Sequence, residues 1–285
     1  MSAAQAARIV EVVLSTATVL LFIWITFPKL APWRVVGETL WRTLRSWRRV
    51  LYLAACLSIL LANYVYLASG LDDAVTRWVC PPAENGGGDF TRWVWSLEGN
   101  AVASIQTALA WTPLTYFLGY VYIVVFACLV IVSIFVFDHV RSRRGLAMVL
   151  IGYFLNYLFV LPFYLFFPVR EAHDFHGGAV RLLLAEISPA IMEGYRTMSG
   201  LNNCFPSFHT SLAVTMALIA WHAGSRRFGW LITLFAAANV LSTVYLGIHW
   251  LTDVAAGLVV GVAAYLLARR LSRRWADEAA RPAEP

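Results

Sequence analysis

Near the end of the chain His249 and Asp253 stand four residues apart, at the start of an apolar run. On a helix that spacing puts both side chains on one face. A carboxylate one turn beyond an imidazole can hold one ring nitrogen as N–H and leave the other as a lone pair, which makes the histidine an oriented nucleophile or base. Forty residues earlier, His209 opens another apolar run with the Ser207 hydroxyl beside it, in Cys204-Phe205-Pro206-Ser207-Phe208-His209. From there the chain is apolar to Gly224, is interrupted by Ser225-Arg226-Arg227, and is apolar again to Gly247. Each half is roughly a bilayer's worth of helix, so the chain crosses and returns, and both imidazoles share one membrane face. Helix starts at that face present unpaired N–H groups and partial positive charge, which suit a phosphate.

The elements that must position these groups are membrane helices. A chain of 285 residues that is 60% hydrophobic and 13% charged is too apolar for a soluble domain, and reads as an all-α, polytopic bundle of six to seven transmembrane helices. Apolar spans fall at about 9–27, 50–69, 113–137, 146–167, 208–224, 229–247 and 250–268. The net charge of +6 is no nucleic-acid footprint, because the basic residues are dispersed between spans and act as topology determinants. With a cytoplasmic C-terminus, 16 of the 22 Lys and Arg lie in the inside segments. That asymmetry predicts an external N-terminus and an extracytoplasmic site in a multi-pass protein of the cell membrane. The whole chain, 1–285, reads as one membrane domain. Residues 1–49 form a first span plus a basic amphipathic segment, 70–112 an external loop, 113–268 the catalytic bundle and 269–285 a cytoplasmic tail.

Other features take their meaning from this map. Trp33, Trp41 and Trp47 among Arg34, Arg42, Arg45, Arg48 and Arg49 suit a helix lying on an anionic cytoplasmic leaflet. Phe90 to Trp111 is either an amphipathic helix in the outer interface or a lid packed on the bundle. Cys56 and Cys128 read as packing residues, whereas Cys80 and Cys204 are external, where a disulfide is permitted. His139 falls in a cytoplasmic turn. His173-Asp174-Phe175-His176 has the look of a metal cluster but reads as solvated loop histidines. Two external arginines are anion-binding candidates. Arg170 follows a span that reaches the active face, and Arg196 lies in a Gly- and Asn-rich segment able to fold back over the helix starts.

Pro206-Ser207-Phe208-His209 and Gly247-Ile248-His249-Trp250-Leu251-Thr252-Asp253, the latter traceable back to Ser242, resemble the second and third signature motifs of the phosphatidic acid phosphatase type 2 superfamily. The resemblance covers roughly residues 194–260. It implies that His249 attacks phosphorus to give a phosphohistidine and that Asp253 orients and charge-balances it. His209 would protonate the leaving oxygen and later activate the acceptor, and Ser207 would bind a phosphate oxygen. Two departures stand out. Thr243 occupies the position where the superfamily commonly has arginine, and no Lys…Arg-Pro first motif is present. Both departures look like the branch that includes inositol phosphorylceramide synthase and, less closely, sphingomyelin synthase, and Arg170 and Arg196 are then the residues to supply the missing anion clamp. The implied substrate is a membrane lipid phosphate or phosphodiester. The acceptor is a lipid, polyol or water hydroxyl, transfer is preferred over release of inorganic phosphate, and neither cofactor nor metal is needed. Two further readings stay open: a zinc-dependent lipid hydrolase that uses the same residues as ligands, and a non-catalytic transporter or receptor whose histidines pair inside the membrane.

Overall fold

A computed structural model describes residues 3–47, 49–51, 54, 57–58, 61–62, 65, 69–79, 89–175, 179–187 and 202–273. The apolar run 50–69 lies largely outside them, and so do Cys56, Cys80, His176 and Arg196.

The chain is a helical bundle. Helix α1 (Ala3–Thr26) is followed by α2 (Pro32–Leu44), α3 (Leu71–Val79), α4 (Thr91–Glu98) and α5 (Ala101–Ala108). The long helix α6 (Thr112–His139) leads into α7 (Arg143–Phe166), and α8 (Phe208–Ala223), α9 (Arg226–Tyr245) and α10 (Leu251–Leu271) complete the bundle. Among the described residues five helices are long and apolar enough to cross a membrane, namely α1 from Ile9, α6, α7, α9 and α10. Helix α8 is shorter, at 16 residues. It is the central one, packed on α7, α9 and α10.

Local chemistry fixes the helix starts. Ser142, Ser207 and Ser225 are N-caps whose hydroxyls accept from the backbone N–H of Gly145, Thr210 and Phe228, each contact contributing about 1 kcal/mol. Where α8 and α10 cross, α10 presents Gly257 and Gly261. A methyl group on either would meet a carbonyl oxygen of α8, Ser207 at 2.7 Å or Ser211 at 2.5 Å. This small-xxx-small pattern lets two backbones approach without side chains between them. Buried polar contacts then lock the crossing: Thr215 Oγ1 donates to the Gly261 carbonyl at 3.0 Å, and Asn156 Nδ2 donates to Thr215 Oγ1 at 2.9 Å.

At the opposite end Asp138 is buried. It accepts from Thr39 Oγ1 at 2.9 Å and from Arg42 Nε at 2.7 Å, with Arg49 as a further ion-pair partner. The expected surface segment is thus bolted to the bundle along one face through Val35, Thr39 and Arg42, while Trp33, Leu40, Trp41 and Leu44 are exposed. The region expected as an external loop over 70–112 contains helices α3, α4 and α5. Thr91, Val94, Val102 and Gln106 are buried, which favours the lid reading of Phe90 to Trp111.

Candidate active site

His249 sits in the turn between α9 and α10. The turn needs Gly247, whose φ of +82° is the left-handed region and whose missing side chain leaves room for the Arg181 carbonyl, 2.2 Å from where a Cβ would lie. The His249 N–H donates to the Thr243 carbonyl at 2.9 Å. Behind the turn a 3-10 turn, Ala172–Asp174, packs against it: the Ala172 N–H donates to the Ile248 carbonyl and the His173 N–H to the Gly247 carbonyl, both at 3.0 Å. Trp250, fully buried, donates Nε1–H to the Arg170 carbonyl at 2.9 Å.

Asp253 has two tasks. Its Oδ2 accepts from the Trp250 N–H at 2.9 Å, capping α10, and lies 3.3 Å from His249 Nδ1. A proton on Nδ1 directed at this carboxylate leaves Nε2 with its lone pair. Both residues are buried, His249 at 5% and Asp253 at 0% exposure. The Ser207 N–H donates to the Asp253 backbone carbonyl at 3.1 Å, so the start of α8 is tied directly to the first turn of α10. The result is that the His209 and His249 rings lie 6.3 Å apart, centroid to centroid, tilted by 56°. The His209 carbonyl is held by Asn239 Nδ2 at 3.2 Å.

The remaining expected site residues fare differently. Ser207 is buried and its hydroxyl caps α8 through the Thr210 N–H at 3.3 Å. Arg170 reaches the active face, but its Nε is engaged by Asp89 at 2.7 Å and its Nη1 lies 3.8 Å from Asp174, so two carboxylates already balance its charge. Arg196 lies outside the described residues. Thr243 is buried with its hydroxyl donating to Val240 at 2.8 Å. His173 departs from the solvated reading: it pairs with buried Glu171, Nδ1 to Oε2, at 3.2 Å. Cys204 is buried with its sulfur 3.4 Å from the Ile248 carbonyl oxygen, and its expected partner Cys80 is outside the described residues.

One carboxylate is absent from the sequence reading. Glu98, at the end of α4, accepts from the Leu251 N–H at 2.8 Å, the Thr252 N–H at 2.9 Å and the Thr252 hydroxyl at 2.7 Å. It occupies the positive start of α10 that the sequence offered to a phosphate. Gln106 of α5 makes the matching contact on the other side, donating to the Tyr245 carbonyl at 3.0 Å and the Arg181 carbonyl at 2.7 Å. The lid is therefore fastened to both helix ends that flank His249. No local signal links Glu98 to a helix 153 residues later.

Cys204, His249 and Asp253 also offer ligand atoms within 4.8 Å of one another, donor types that zinc accepts. The same Asp253 oxygen already holds His249 and Trp250. The other carboxylate oxygen, Oδ1, is buried without a hydrogen-bond partner among the described residues.

The fold is that of a helical integral membrane protein, and the family match places it among enzymes of the phosphatase type. Residues 91–267 match the family model of the PAP2 superfamily, more than half of the chain, and the protein belongs to that superfamily. Among solved structures, LpxE of Aquifex aeolicus is similar at 19% identity with a TM-score of 0.47, covering 61% of this chain and 95% of that one. No curated protein matches.

Proposed function

We propose that the protein is a metal-free phosphotransferase acting on a membrane lipid phosphate or phosphodiester at the extracytoplasmic face, through a phosphohistidine on His249. The observation that carries this reading is the buried His249–Asp253 pair facing His209 across 6.3 Å. In the first half-reaction His249 Nε2 attacks phosphorus, the bond from phosphorus to the leaving oxygen breaks, and the His209 imidazolium gives that oxygen a proton. Asp253 balances the charge that develops on the His249 ring. In the second half-reaction neutral His209 takes the proton of an acceptor hydroxyl, the acceptor oxygen attacks phosphorus, and the N–P bond breaks to restore both histidines.

The preferred acceptor is a lipid or polyol hydroxyl, in keeping with the branch resembling inositol phosphorylceramide synthase. Support for this comes from Thr243, which is buried and bonded to its own helix where the superfamily commonly places an arginine. Arg196 is the residue proposed to supply the clamp on the equatorial oxygens, with Ser207 and the backbone N–H groups at the start of α8, since Glu98 and Asp253 already hold those of α10. Arg170 shares this role in the proposal, and requires Asp89 to release it.

The test is incubation of the purified protein with labelled lipid phosphates and phosphodiesters, with and without candidate alcohols, followed by separation of products. A new lipid carrying the label supports transfer. Release of inorganic phosphate alone overturns transfer and leaves a phosphatase. Activity abolished by a chelator and restored by zinc would sink the metal-free mechanism.

A further inference from the structure

Helix α6 departs from α geometry where it passes the site. Val121–Val125 forms a π turn, a wider turn that carries one extra residue and rotates one half of a helix against the other. The segment Val-Tyr-Ile-Val-Val contains no Pro or Gly to excuse the irregularity. The two residues it aims at the centre are aromatic. Tyr122, 2% exposed, stacks on the His209 imidazole with centroids 4.1 Å apart and planes 14° apart. Phe126 meets the same imidazole at 4.0 Å and 33°, and is itself braced edge-on by Phe208 at 6.0 Å and 81°. One helix thus lays two aromatic rings against one histidine, whose other ring neighbour among the described residues is His249.

Ring faces carry partial negative charge and attract a cation more than a neutral ring. Stacking also fixes the plane of the imidazole, and hence the line along which it delivers a proton. We infer that Tyr122 and Phe126 are positioning residues for proton donation by His209, holding its plane and setting their ring faces against the imidazolium at the moment the leaving oxygen departs. The inference rests on the acid role given to His209 above. It makes a distinction that a packing role does not make. A poor leaving group, such as the alkoxide of a lipid, needs the proton, whereas nitrophenolate leaves without one.

The experiment compares kcat/KM, which ends at the first irreversible step, for a short-chain phosphatidic acid and for p-nitrophenyl phosphate. Tyr122→Leu and Phe126→Leu are expected to lose roughly tenfold on the alkyl phosphate and about twofold or less on the aryl phosphate. Tyr122→Phe keeps the ring and should keep the wild-type ratio of the two rates. Phe126 is half-buried, so Phe126→Leu reports even where Tyr122→Leu does not fold. An equal loss on both substrates, or no loss on either, overturns the inference. His209→Ala separates it from the reading beneath it: equal loss on both substrates in that variant refutes the acid role itself. A selective loss in His209→Ala without one in the Leu variants refutes the aromatic role alone.

Discussion

Asp253→Asn isolates charge from geometry in a single atom exchange. Oδ2 accepts from the Trp250 N–H at 2.9 Å and faces His249 Nδ1 at 3.3 Å. An amide that turned its NH2 toward these groups would set two N–H donors against each other at 2.9 Å, so the amide oxygen stays where Oδ2 was. The cap and the His249 tautomer are then both kept, and what is lost is the negative charge. A hydrogen bond to a charged acceptor exceeds a neutral one by about 1–2 kcal/mol, which is roughly 5- to 30-fold in rate at about 1.4 kcal/mol per tenfold. Asp253→Ala removes the cap as well, at about 1 kcal/mol of stability. The assay is p-nitrophenyl phosphate turnover beside thermal unfolding in detergent. The Asn variant should lose 5- to 30-fold with a smaller fall in Tm than the Ala variant, which should lose more in both. Wild-type activity in Asp253→Asn would show that the carboxylate charge is unused. An Asn variant as dead as His249→Ala would show that the amide inverts, and that the Trp250 contact does not set its orientation.

His249→Ala and His209→Ala are each expected to cost orders of magnitude in turnover while retaining expression, and acid-labile, base-stable phosphate should be trapped on the wild-type protein and not on His249→Ala; a trapped phosphate on His249→Ala refutes the nucleophile. Glu98→Ala removes three contacts from the start of α10 and should lower stability by about 1–2 kcal/mol, read as a fall in Tm, with Glu98→Gln intermediate; an unchanged Tm would mean that the lid is not fastened there. Gly257→Ala forces a methyl group within 2.7 Å of the Ser207 carbonyl, and is expected to reduce activity at least tenfold by displacing His209, a result refuted by wild-type kinetics. Arg196→Lys should lose most activity because a point charge does not reproduce the planar fork, whereas full activity there together with a dead Arg92→Ala would place the clamp elsewhere.

What could be read from the chain was what is written locally. His249 and Asp253 share a helix face by spacing alone, and the hairpin between His209 and His249 follows from two apolar runs and one polar break. The structure brings these three side chains together as that logic requires. Contacts between distant segments left no such mark. Glu98 looks like any acidic residue after a tryptophan-rich stretch, and its role appears when the lid folds onto α10. Tyr122 and Phe126 are two of many aromatics in an apolar span, and nothing in Val121–Val125 announces a π turn. Asp138 read as part of a basic turn because its partners Thr39, Arg42 and Arg49 lie about ninety residues upstream. Arg170 shows the converse. Proximity to the active face was legible, but the carboxylates of Asp89 and Asp174 that engage it were not.

The glycine contact between α8 and α10 limits how this centre can be altered. With Gly257 and Gly261 set against the Ser207 and Ser211 carbonyls, the helices carrying His209 and Asp253 touch backbone to backbone, and their spacing is set by atomic radii. Such a spacing cannot be adjusted in small steps, since the smallest addition, one carbon, is already too large. The catalytic floor is therefore a fixed gauge. Any drift toward a different substrate must be written in the parts that close over it, in the lid from Thr91 to Ala108 and the segment from Val169 to Phe175, where residues can change size without moving either histidine.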